Sequence, residues 1–122
     1  MRDQPTTREI RNRIRGVNRR LAKADVDPRN ADRALWGALA VVSFASVTGQ
    51  SHDVHVDPET VLGDLLADLM HWCDVQKTSD SRIESIDFES ALARARNHYD
   101  EECVDEREQL YADEGDKQQR TR

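Results

Sequence analysis

From Ile10 to Tyr111 the large apolar residues fall into lines whose members stand three and four residues apart, and no long stretch alternates apolar with polar. A helix returns to the same face every 3.6 residues and a strand every two, so this spacing predicts an all-α protein. Ile10, Ile14, Val17, Leu21 and Ala24 make the first line. It is a narrow seam, wide enough for one helix–helix contact. Thr6 or Thr7 is placed to cap this helix, with Glu9 in its first turn. Gly16 in its middle costs about 1 kcal/mol relative to alanine, so the helix depends on tertiary or quaternary support.

Two Asp-Pro dipeptides punctuate the chain beyond this helix. Asp27-Pro28 predicts a second helix over about residues 28–47, ended by Thr48-Gly49, with glycine where a left-handed cap is wanted. After Leu35 this helix is apolar nearly all round, through Leu39, Val42 and Phe44, which predicts a central, mostly buried element. Trp36 reads as a core residue on its second side, with an interface anchor as the alternative. Residues 50–56 read as a polar loop carrying His52 and His55. Asp57-Pro58 then starts a third helix over about residues 58–76. Its apolar face, Leu62, Leu65, Leu66, Leu69 and Cys73, is expected to enter the core; Asp64, Asp68 and His71 form a polar line beside it.

Residues 77–82 form a Ser/Asp-rich connector, and a fourth helix begins near Ser85 or Asp87 and uses Phe88, Leu92, Ala95, Tyr99 and Cys103. It extends toward Leu110 and Tyr111 through a strongly charged stretch. The expected architecture is a four-helix bundle-like single domain with flexible ends and antiparallel third and fourth helices. Within it, residues 1–24 are a basic amphipathic arm or docking helix, 25–112 the helical core, and 113–122 a polar, disordered tail.

Charge is unevenly distributed. The net charge of −6 hides a +6 segment in residues 1–24 and −12 in the rest. A basic helix on an acidic body contacts nucleic acid or folds back onto its own body. Docking on the body is favoured, because the acidic remainder repels phosphate. Hydrophobic residues make up 37% and charged residues 34%, so the core is modest and a homodimer that buries more apolar surface is an expectation. Two cysteines, Cys73 and Cys103, lack zinc or disulfide-framework spacing, and the chain has neither a secretory leader nor an apolar run of about 18 residues. These features predict a reduced, cytoplasmic protein without a membrane span.

No phosphate cradle, nucleophile elbow or Cys-x-x-Cys occurs, so no catalytic residue is assigned. An antiparallel turn near residue 81 puts Asp68 level with Arg94 and Asp64 level with His98, which reads first as a pair of interhelical contacts. The sharper alternative is a magnesium or zinc site built from Asp64, Asp68, His71 and His98. All-α nucleotide pyrophosphatases hold magnesium with Glu-x-x-Glu on one helix and Glu-x-x-Asp on the next. Glu102-x-x-Asp105 imitates the second pair, but Asp64 and Asp68 stand four apart, so the first is not reproduced. The leading expectation is therefore no cofactor. His52 and His55, with Asp53 and Asp57, read as solvated loop residues.

The segment Asp64-Leu-Leu-Ala-Asp-Leu-Met-His-Trp-Cys-Asp74, followed by Asp87-Phe-Glu-Ser-Ala-Leu-Ala-Arg-Ala-Arg-Asn-His-Tyr-Asp-Glu-Glu102, resembles a group of small uncharacterised bacterial proteins found on phages, plasmids and other mobile elements. The likeness spans about residues 35–103 and leaves out the basic first helix. It implies a helical fold and a mobile-element setting, and it marks Asp64, Asp68, His71, His98 and Tyr99 as pattern positions. A longer, more polar connector sets this chain apart.

The leading functional expectation is a small non-enzymatic interaction protein that binds a host or element-encoded macromolecule. Its acidic residues Glu101, Glu102, Asp105 and Glu106 would dock on a basic protein surface, as an inhibitor of a nucleic-acid-handling defence system does. The alternative is a nucleic-acid binder acting through Arg8, Arg11, Arg15, Arg19 and Lys23.

Overall fold

The computed structural model describes residues 6–24, 26–79 and 86–120. Among these residues there are five helices and no strand: α1 (Thr7–Ala24), α2 (Asn30–Thr48), α3 (Asp53–Val56), α4 (Pro58–Ser79) and α5 (Phe88–Arg120). The protein is all-α. It divides into two compact units, Met1–Ile86 and Asp87–Arg122.

In the first unit, α1 begins with a reciprocal cap. The Glu9 N–H donates to the Thr6 hydroxyl at 3.2 Å, and the Thr6 N–H donates to the Glu9 carboxylate at 3.0 Å. Two backbone donors with no helical partner are thereby satisfied. The helix packs along α2. Ile10 is fully buried, and Ile14, Val17 and Leu21 are half-buried on the same seam. The basic helix therefore docks on its own body.

The start of α2 departs from the expectation drawn from sequence. Asp27-Pro28 lies ahead of the helix, which begins at Asn30. The carboxylate that caps it is Asp32, reaching back to accept the Arg29 N–H at 2.8 Å. The same carboxylate pairs with the Arg20 guanidinium and so ties α1 to the first turn of α2. At the other end Gly49 adopts φ 76°, and the Gly49 and Gln50 N–H groups both donate to the Ala45 carbonyl. A side chain at that φ would strain the backbone, which is why the helix stops at a glycine.

Residues expected as loop contain the single-turn helix α3, whose Val54 is buried. Val54 packs with Ala45 of α2 and Val61 of α4, with Val41 and Phe44 against them. The Asp57-Pro58 start holds for α4. Asp57 accepts the Thr60 N–H at 3.2 Å and the Thr60 hydroxyl at 2.6 Å. These bonds, the hydroxyl's first, keep its carboxyl below the ordinary carboxylate value.

Burial within α4 also departs from expectation. Val61 and Cys73 are buried, whereas Leu62, Leu66 and Leu69 are exposed and Leu65 is half-buried. In the first unit α4 is met by α2 and by the single-turn α3, and these contacts leave most of its leucine face uncovered. α2, although it touches α1, α3 and α4, is divided between half-buried and exposed positions, and Trp36 is 39% exposed rather than in the core.

The second unit is α5. Asp87 caps it, accepting the Glu89 N–H at 3.3 Å and the Ser90 hydroxyl at 2.9 Å. The helix runs on to Arg120 across residues expected to be disordered. Gln109, Leu110, Ala112, Glu114 and Lys117 are strong helix formers, and Gln109 donates to Asp113 one turn on at 3.0 Å. The predicted antiparallel pairing of the third and fourth helices runs between the two units, and residues 80–85 of the connector lie outside the described residues. Among the described residues no helix is long and apolar enough to cross a membrane.

Candidate functional site

α1 carries the most organised charged surface of the first unit. Arg8, Arg11, Arg15, Arg19 and Lys23 are all exposed. Their steps of three, four, four and four keep them in one stripe, opposite the seam that packs on α2. At 1.5 Å per residue the stripe is about 22 Å long, with one cation per turn. Among the described residues none of the five is paired with a carboxylate; Arg19 makes only a long contact from Nε to the Arg15 carbonyl, 3.4 Å.

Arg20, on another flank, is the arginine that the body takes up. It is 38% exposed and joined to Asp32, whose side chain is 6% exposed. The Arg29 N–H first, and the Arg20 guanidinium with it, hold the Asp32 carboxyl below its ordinary value of 3.8 against the opposing effect of burial. Docking α1 therefore consumes the apolar seam and one arginine, and leaves the five-cation stripe in solvent. Docking of the arm, expected from sequence, therefore does not neutralise its charge among the described residues.

The second charged surface is on α5. Between Asp100 and Asp116 stand nine acidic residues and one basic residue, Arg107. Glu101, Asp105 and Glu108 are exposed and share one side of the helix, whereas Glu102 and Glu106 are half-buried on the adjoining side. Val104 and Tyr111 are exposed beside Glu101 and Glu108. Sequence reasoning named the four acidic residues and Tyr111 but not Val104, which a helical projection would have found. On the opposite side, hydrogen bonding to Cys103 one turn away pushes the Tyr99 phenol above its ordinary value.

The Asp64, Asp68 and His71 line is exposed on α4, and His98 is exposed on α5. Asp64 is engaged locally, accepting the Gln50 side-chain amide at 2.7 Å. Among the described residues no three His, Cys, Asp or Glu side chains are grouped to hold a metal ion. Asp64, Asp68 and His71 belong to the first unit and His98 to the second. The Asp64 bond tethers the segment after α2 to α4. His52 and His55 are exposed.

Comparison of the chain with protein-family models, curated proteins and solved structures finds no match.

Proposed function

We propose that this protein is a small, non-catalytic helical module that binds nucleic-acid backbone through the stripe on α1. The observation that carries this reading is the docking geometry: α1 is held by its seam and by Arg20, while five cations stay solvent-exposed and, among the described residues, without carboxylate partners. The helix that carries the stripe is already formed, so only the side chains have to be ordered on binding. Four of its five members are arginines, whose planar forks match phosphate oxygens in pairs. No aromatic residue is interleaved, so bases are not stacked and contact is to the backbone without sequence readout. A phage- or plasmid-borne setting, as the resemblance implies, suits a protein of this kind.

The number of contacts sets a magnitude. Five phosphate contacts give a log–log salt slope of about −4.5 on duplex DNA and about −3.5 on single strands. Between 50 and 200 mM salt, affinity should fall by about 500-fold on duplex and about 100-fold on single strands. Gel-shift titrations with both forms measure these slopes. R11E/R15E/R19E should abolish the shift while circular dichroism keeps its helical signal. Binding that survives the triple substitution, or ignores salt, rejects the reading.

A second reading rests on α5, where Val104 and Tyr111 lie beside the exposed acidic residues. A protein with a basic surface would find there both charge complementarity and apolar anchors. Changing Glu101, Glu102, Asp105 and Glu106 to lysine should release a partner captured from the native host; capture that persists removes this reading.

A further inference from the structure

The side of α5 opposite Glu101, Asp105 and Glu108 carries an apolar seam that neither reading uses. Phe88, Leu92, Ala95, Tyr99, Cys103 and Leu110 follow one line along the unbroken helix, with Glu106 in the same line. Leu92 is 38% exposed, Tyr99 68% and Leu110 59%. The steps are four, three, four and four, then three and four through Glu106. That is the spacing of a coiled-coil seam with one local break in its heptads.

Charge along α5 selects the occupant of this seam. Residues 88–98 carry Glu89, Arg94 and Arg96, a net +1, whereas residues 100–116 carry a net −8. We propose that the seam pairs with α5 of a second copy of this chain, running antiparallel and centred on Tyr99. This arrangement lays the weakly basic half of each helix along the acidic half of the other. A parallel pair would instead stack the two acidic halves and bring Glu106 against its own counterpart. In the antiparallel register Phe88 lies level with Leu110 of the second copy, Leu92 with Glu106 and Ala95 with Cys103. Like sides of the two helices then meet at each edge, which brings Arg96 near Asp100 of the second copy and His98 near Glu102. Pairing through α5 is independent of nucleic-acid binding by α1, since it concerns the other compact unit and is read out by mass and cross-linking.

Light scattering of the full chain across concentration should show a mass rising from 14.0 kDa to about twice that value. Disulfide mapping then tests the direction. Within one helix, positions 95 and 103 are about 12 Å apart along the axis, too far for a disulfide. A95C under a mild thiol oxidant should therefore give a covalent dimer joined to Cys103 of the second copy, located by peptide mass spectrometry. The unsubstituted chain should give no Cys103–Cys103 link. R96E, on an exposed edge, should weaken dimerisation by about tenfold, and R96E/D100R should restore it. A monomer at every concentration, as expected if a different protein covers the seam, overturns the proposal. A Cys103–Cys103 link in the unsubstituted chain overturns it as well.

Discussion

Replacing Asp32 by alanine should loosen α1 from the body. The carboxylate does two things at once: it accepts the Arg29 N–H at the start of α2 and it holds the Arg20 guanidinium of α1. A hydrogen bond to a charged acceptor contributes about 1.5–3 kcal/mol. The ion pair adds only about 0.5–1 kcal/mol, because Arg20 is 38% exposed and its charge is screened by water. D32A should therefore cost about 2–4 kcal/mol. R20A should cost about 1 kcal/mol, since Asp32 keeps the Arg29 donor. Urea unfolding followed by circular dichroism measures both, and the double variant isolates their coupling. Hydrogen exchange should quicken in α1 before α4. The pH dependence has a definite sign. The folded carboxyl titrates below its ordinary 3.8, so its contribution is complete above the unfolded value and is lost as pH falls through the folded one. The gap between the native chain and D32A should thus be constant near neutrality and close progressively below about pH 5. A D32A chain as stable as the native one, or a gap that persists into acid, would refute the assignment of Asp32 as the tie.

Other outcomes rest on local geometry. Gly49→Ala should destabilise by about 1 kcal/mol because φ 76° crowds a side chain. Gly16→Ala should stabilise by about 0.5–1 kcal/mol, because an added Cβ meets nothing within 4 Å; urea midpoints that move in the same direction for both would contradict this. Asp57→Ala should lower the thermal midpoint by removing both bonds from Thr60, while Asp57→Asn, which keeps an acceptor, should lower it less. Trp36 and Trp72 are both exposed, so acrylamide should quench their fluorescence readily in the native protein. Protected, blue-shifted emission would mean that another surface covers them.

Helix type and most helix ends are legible in the sequence because they depend on nearest neighbours along the chain. Thr6 with Glu9, Asp57 with Thr60 and Gly49 at its left-handed φ satisfy donors or relieve sterics within four residues, and such bonds leave a local signature. The same is true of the basic stripe, whose spacing alone places five cations on one face of α1. The start of α2 is less legible because two local signals compete there. The Asp27-Pro28 pair loses to Asp32, whose carboxylate also gains Arg20 from twelve residues earlier in the chain, a long-range contribution that no local pattern displays.

What the chain alone could not decide was which apolar residues become core. The periodicity of Leu62, Leu65, Leu66 and Leu69 predicts a buried face, yet burial requires a neighbour laid along it, and the contacts of α4 with α2 and the single-turn α3 leave Leu62, Leu66 and Leu69 exposed. The spacing of residues determines that a face exists; the length and placement of other helices determine whether water leaves it. Likewise the sequence determined that the first helix is basic, whereas only its docking on α2 decided that the seam and Arg20 are consumed while the outer cations stay in solvent. Secondary structure arises from bonds and sterics a few residues long, but removal from water and pairing of charge need surfaces brought together from distant parts of the chain.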